Sequence, residues 1–460
     1  MRLREVKQLM KQTALLPALA AAFILGACGD GTNLPTATGK ADIRAINAIK
    51  TSPEVGFLIE ERVLGSIDFR QISSLNEYDD LDYNFNFDVF FLGDATATRI
   101  ATQHIDIVAD MDYILLLSGT LSNATITVWE TAKRTFDGTE TVFEARFAHI
   151  SDSLGSIDYY FAAPGVAPVL GEEAGTLSFG DVLTSIDYTA GDFVLTVTTS
   201  GDPSDVLYQS DTSTFLAATQ YLITTFDGGA ITNAPIIGRA FSLGAGSATA
   251  SATLPDINYP ATVEFVNGSL AMGTVDIYED VLLTLSIVDD LPYMGMSAEL
   301  NLAIGGNPVF YTPFDGTSPV LIESTINFST GIRGRVVSYG PSDALSARIY
   351  LPDRRPVESQ AKLQFFDAAI NYEFINIYLL EPDEILEDQF PILTVTSGTA
   401  AATIPLLAGS YDLYMREFGT TVNLAGPIRL DVVLGDVVSA MIFDTIDPSV
   451  LELQFLPTNP

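Results

Sequence analysis

One short phrase recurs four times along this chain, and the recurrence limits what the chain can fold into. The clearest copy is ATVEFVNGSLAMGTVDIY at 261–278; the others lie at 42–58, 144–160 and 362–378. In each copy a polar residue ends a short apolar run: Asn47, His149, Asn267, Asp367. Eight positions later an apolar residue opens a second run: Val55, Ile157, Val275, Ile375. The copies stand 102, 118 and 100 residues apart. Tandem modules of that length are single domains, and 460 residues is too long for one.

The runs are short and rich in Val, Ile, Thr, Phe and Tyr, and Gly, Pro, Asn, Asp and Ser separate them. That pattern predicts strands rather than helices. In the first run, apolar residues fall four, two and one positions before the polar landmark, as in Val263, Phe265 and Val266. The second run alternates: Val275 and Ile277 oppose Asp276 and Tyr278, and Ile157, Tyr159 and Phe161 oppose Asp158 and Tyr160. Such alternation predicts one packed face and one wet face. A third landmark, 44 residues after the first, is aromatic: Phe91, Phe193, Tyr311, Tyr411. The fold class expected is all-β, a series of antiparallel, seven-stranded sandwiches of immunoglobulin type. The boundaries expected are a signal at 1–27, a lipidated cysteine and flexible tether at 28–40, modules at 41–136 and 137–240, a linker at 241–258, and modules at 259–360 and 361–460.

The amino terminus reads as an export signal. Arg2, Arg4, Lys7 and Lys11 precede an apolar run too short for a membrane span, which ends Leu25-Gly26-Ala27-Cys28. That ending resembles the bacterial lipobox, which implies that Cys28 is acylated and becomes the mature terminus. Cys28 is the chain's one cysteine, so no intramolecular disulfide can form. After Cys28 it is Asp30, not residue 29, that carries the first carboxylate, which the resemblance associates with the outer membrane. The partner expected from this is the membrane itself, through the lipid anchor.

Copies two and four, EARFAHISDSLGSIDYYF and KLQFFDAAINYEFINIYL, each with a later Ala-Gly-x-aromatic, resemble the bacterial domain-of-unknown-function family 4397. The family's opening Arg is present as Arg44 and Arg146 but replaced by Glu264 and Gln364. The resemblance implies tandem extracellular β-sandwiches and no activity.

The net charge of −36 disfavours nucleic acid and anionic lipid surfaces. Between Phe147 and Ile332 there are 21 acidic residues and one base, Arg239. Basic residues concentrate instead at Arg333, Arg335, Arg348, Arg354, Arg355 and Lys362. These predict an interdomain contact with acidic module surfaces, or else a patch for a carboxylated or phosphorylated ligand. With two histidines, His104 and His149, and no phosphate loop or nucleophile elbow, no catalytic residue and no metal site is expected. No cofactor is expected either; calcium at the acidic run 77–82 is the one candidate considered. A slot that accepts Asn, His and Asp predicts turn capping at Asn47, His149, Asn267 and Asp367. The function expected is a non-enzymatic envelope lipoprotein, a spacer, scaffold or binder of an unknown protein or glycan ligand. The alternatives are a surface carbohydrate- or adhesin-type binder and an unrecognised hydrolase.

Overall fold

The computed structural model describes residues 36–229, 232, 234–244 and 251–456. Cys28 and the export signal lie outside them. The described chain is almost entirely strand, arranged as eight sheets of four or five strands.

In module 1 the strand carrying the polar landmark, Lys40–Asn47, sits between Asn76–Asp79 and Met111–Thr120, with Asn123–Ala132 beyond. The facing sheet runs Arg62–Ile67, Val55–Ile59, Asp82–Val89, Thr98–Asp106. The same order recurs three times, so each module is a two-sheet sandwich. A separate apolar core fills each one, around Phe57 and Phe87, Phe147 and Phe161, Phe265 and Tyr311, and Phe365 and Leu413.

Three features differ from expectation. Module 1 has eight strands rather than seven. Each landmark strand also pairs in parallel with a later one: Lys40–Asn47 with Met111–Thr120, Val142–His149 with Gln220–Asp227, Ala261–Asn267 with Arg333–Tyr339, and Ala361–Asp367 with Val437–Asp444. And the expected linker at 241–258 is partly sheet: Ser251–Leu254 pairs with Ile236–Ser242 as the fifth strand of module 2. The expected tether is likewise pinned at its end, where Asp80 accepts the backbone N–H of Thr38 at 2.6 Å and of Gly39 at 3.0 Å.

The landmark strands are buried on both faces, and the modules do not lie simply in series. Ile43 and Ala45 enter the core of module 1, whereas Ile46, Ile114, Leu116 and Trp129 point outward. They pack against Ala148, Ile150, Leu222, Phe226 and Phe241 of module 2. Modules 3 and 4 repeat this with Val266, Val337 and Tyr350 against Phe366, Met441 and Phe443. The apolar residue just before each landmark is therefore an interface residue. It has no place in its own module's core, because side chains alternate along a strand.

The alternation of the second strand puts Val275 and Ile277 in the core as expected, but its other face is not wet. Asp158, Asp276 and Asn376 are all buried. Asp276 accepts the backbone N–H of Asp290 at 2.9 Å and of Asp315 at 3.2 Å. Asp158 accepts Thr176 Oγ1 at 2.5 Å and the Gly201 N–H at 2.7 Å. These side chains tie loops down over the sheet, where a wet face was expected.

The third landmark is partly misplaced. Ile157 pairs with Thr199 and Ile375 with Glu417, which puts Phe193 and Tyr411 at the same place, six residues earlier. Val55 pairs with Val89, so the residue of module 1 at that place is Tyr83, not Phe91. In module 3 it is Asn307, not Tyr311, because Val275 pairs with Pro313.

Candidate functional site: the junctions between modules

All four polar landmarks are fully buried and bonded locally. Asn47 Nδ2 donates to Ser52 Oγ at 2.9 Å and the Ile67 carbonyl at 3.1 Å, and its Oδ1 accepts the Ile49 N–H at 3.0 Å. His149 Nδ1 accepts the Ser151 N–H at 3.3 Å, and Nε2 lies 3.0 Å from the Gly155 carbonyl. Those two contacts require the neutral tautomer protonated at Nε2. Asn267 Nδ2 donates to the carbonyls of Gly273 at 2.7 Å and Leu291 at 3.2 Å. Asp367 Oδ1 accepts the Ala369 N–H at 3.0 Å, while its Oδ2 is buried without a partner. Burial lowers the pKa of His149 against the opposing pull of the Gly155 bond, and raises that of Asp367 well above the carboxylate range.

The loops after the landmarks meet across the module pairs. In the first pair Lys50 reaches Asp152 at 2.5 Å and Asp227 at 2.7 Å, crossing from module 1 to module 2. In the second pair Leu270 stands where Lys50 does, three residues past the landmark. A cleft of about 250 Å³ remains there, lined by Ser269, Leu270, Ile370, Asn371 and Asp444 among others.

Of the five arginines singled out from sequence, Arg335, Arg348 and Arg355 bond across a junction, and Arg333 and Arg354 bond within module 3. Arg335 bonds Glu264 at 2.9 Å within module 3 and Ser439 Oγ at 2.9 Å in module 4. Arg348 donates to the Gly398 carbonyl of module 4 at 3.0 Å. Arg354 bonds Glu264 at 3.0 Å and Glu299 at 3.4 Å, and Arg333 bonds Glu299 at 2.8 Å. Arg355 reaches module 1, donating to the carbonyls of Ser52 at 2.6 Å and Lys50 at 3.2 Å. Beside it the Glu358 N–H donates to the Thr51 carbonyl at 2.8 Å. So the stretch from Arg333 to Arg355, at the end of module 3, joins that module to modules 1 and 4. Arg335 and Arg354 are fully buried, and losing one partner of such a pair costs about 3–5 kcal/mol.

Sequence reasoning missed a matching contact in the first pair. Arg44 bonds Asp112 at 2.8 Å and the Leu243 carbonyl of module 2 at 2.7 Å. Asp112 is nonetheless raised to about 6, because burial outweighs the attraction of Arg44. The signal was present: Arg44 of module 1 is replaced by Glu264 in module 3, where the arginine moves to Arg335 on the paired strand.

A cavity of about 550 Å³ opens between modules 2 and 3, walled by Ile236, Leu254, Pro255, Ile332 and Leu351. Asp256 is its buried carboxylate. Oδ1 accepts the Asn258 N–H at 3.0 Å, while Oδ2 has no partner, and burial raises its pKa. Among the described residues no group of three or more His, Cys, Asp and Glu is placed to hold a metal. In the acidic run 77–82, Asp80 is engaged by residues 38 and 39, and Glu77 lies 3.4 Å from Lys133.

No protein-family model matches the chain, and no curated protein does. Among solved structures, the Bacillus anthracis TIE protein aligns with 10% identity over 88% of this chain and 68% of that one, at a TM-score of 0.15. A likeness that weak carries no argument.

Proposed function

We propose that the chain is a non-enzymatic lipoprotein of the bacterial outer membrane, acting as a spacer or scaffold of fixed shape. The observation that supports this most is the pairing of modules through buried apolar faces and buried arginines. Flexible beads joined by linkers have no need of fully buried Ile46, Val266 and Arg335 at their contacts. The lipobox ending at Cys28 and the resemblance to family 4397 support the envelope placement. The second reading is a ligand binder, favoured by the cavity of about 550 Å³ between modules 2 and 3.

Two measurements test these readings. Labelled palmitate should enter the wild type and not Cys28→Ser, which should leave the membrane fraction. If the wild type takes up no label, the anchor reading fails. A glycan array probed with the chain starting after Cys28 should show no specific retention. Retention abolished by Leu351→Asp in the cavity wall would replace the scaffold reading with the binder.

A further inference from the structure

Arg70 and Met294 occupy one structural position. Each adopts a positive φ, 64° and 63°, and each donates its backbone N–H at 2.8 Å to the carbonyl of its polar landmark, Asn47 or Asn267. Modules 2 and 4 put Gly180 and Gly398 there, in the same conformation and with the same bond to His149 and Asp367. A side chain in this region is disfavoured by about 1 kcal/mol or more, so two modules use glycine. Met294 has a packing reason, since it joins the apolar interface of modules 3 and 4. Arg70 has no such reason. It is 92% buried, and its Nε and Nη1 have no hydrogen-bond partner.

Two more arginines converge on it from other parts of the chain. Arg355 stands over the Phe69 ring at 5.7 Å, and Arg70 stands over the same ring at 4.9 Å. Phe69 meets Phe226 edge-on, Phe226 meets Phe241 edge-on, and Arg239 stands over Phe241 at 5.6 Å. Aromatic faces satisfy the flat sides of guanidinium groups but not their N–H edges. Arg239 Nε is buried without a partner, though its Nη2 reaches Ser251 Oγ at 2.7 Å. No carboxylate of the described residues lies within ion-pair distance of Arg70, Arg239 or Arg355. Asp353 and Asp68 act on Arg355 only from farther away, and Asp353 is bonded to Lys362 at 2.6 Å. Burial, with the charges of Arg239 and Arg355, pushes Arg70 down to about 10, so it stays a cation at neutral pH.

This arrangement is hard to reconcile with structure alone. The chain has 58 carboxylates for 22 bases, and Arg239 is the one Lys or Arg between Arg146 and Arg333. Arg70 is repelled by both Arg239 and Arg355 and keeps two buried N–H groups without an acceptor, Arg239 keeps one, and Arg355 spends Nη1 on the carbonyls of Ser52 and Lys50. We propose that the junction of module 1, module 2 and the end of module 3 binds a tetrahedral oxyanion of the phosphate class, held by Arg70, Arg239 and Arg355. Guanidinium edges match phosphate oxygens geometrically, and the three phenylalanines keep the cations in place while shielding them from water. Arg239 and Arg355 are only partly buried, which leaves the anion a way in. The bound anion would also join three parts of the chain, coupling occupancy to module packing.

Calorimetric titration of the full-length protein with inorganic phosphate, at ionic strength fixed with sodium chloride, tests this. The wild type should bind one phosphate per chain. Arg70→Met, which copies module 3, should fold and bind at least tenfold more weakly. Arg239→Gln should weaken binding in the same direction, while Arg333→Gln, at the ion pair with Glu299, should bind as the wild type does. Phosphomonoester and sulfate titrations separate a phosphoryl ligand from any dianion that fits. Absence of phosphate binding by the wild type overturns the proposal, as does wild-type affinity in Arg70→Met and Arg239→Gln.

Discussion

Asp227 and Asp444 hold the same position in modules 2 and 4, and each gathers the turn that follows its polar landmark. Asp227 accepts the N–H groups of Asp152 and Ser153 at 3.2 and 3.3 Å; Asp444 accepts those of Ile370 and Asn371 at 2.9 and 3.2 Å. At the corresponding place modules 1 and 3 have Gly119 and Gly340, both at positive φ. The true repeat is thus a pair of modules, odd against even. Replacing Asp444 by Ala leaves two partly buried donors without their carboxylate and should cost about 1 kcal/mol. Urea unfolding checks this, and a loss under about 0.5 kcal/mol, the surface range, would deny the aspartate its role.

Asp276 makes a sharper case, since alternation alone would place it in water. Because it holds two loop amides, Asp276→Ala should destabilise by about 1–3 kcal/mol. Val275→Ala and Ile277→Ala should cost about 1–4 kcal/mol through lost packing. Equal stability of Asp276→Ala and wild type would return that carboxylate to solvent.

The landmarks give a pH signature. His149 has a folded pKa below its unfolded value, so the unfolded chain binds the extra proton. Its contribution is intact above about pH 6.5 and is lost as pH falls below that value. In His149→Asn this part of the acid sensitivity should vanish, with stability at pH 7 within about 1 kcal/mol of wild type, since modules 1 and 3 use Asn there. A pH profile unchanged between the two proteins would contradict this.

Asp367 has the opposite sign. Its folded pKa is raised, so the native state holds the proton and stability falls as pH rises above about 4. Asp367→Asn should therefore be more stable than wild type at pH 7, and the gain should shrink toward pH 4. Thermal melts at the two pH values decide it, and a loss of stability at pH 7 would be the contrary result.

The strands, the four modules and the buried turn residues were legible because they rest on local alternation and on a repeated phrase. Alternation alone does not reveal the pairing of modules, although the sequence carries its mark: Ile46, Ala148, Val266 and Phe366 are apolar where a wet face should be polar. The burial of Asp158 and Asp276 was not readable, because loops distant in sequence supply their partners. Arg70 gave no local signal, since its position is defined by a backbone angle and a bond to Asn47. The run from Arg333 to Lys362 was visible as a basic concentration, and within it Arg335, Arg348 and Arg355 bond across junctions.

Trp129 offers the most direct test of the central claim, that modules 1 and 2 are locked face to face. It is the one tryptophan of the chain, 4% exposed, and its Nε1 donates to the Gly180 carbonyl of module 2 at 2.8 Å. Acrylamide quenching of native Trp129 should be several-fold weaker than in the urea-unfolded chain, with blue-shifted emission, and Phe241→Asp in the facing module should raise it toward the unfolded value. Native quenching as strong as that of the unfolded chain, or indifference to Phe241→Asp, would mean that the modules stand apart.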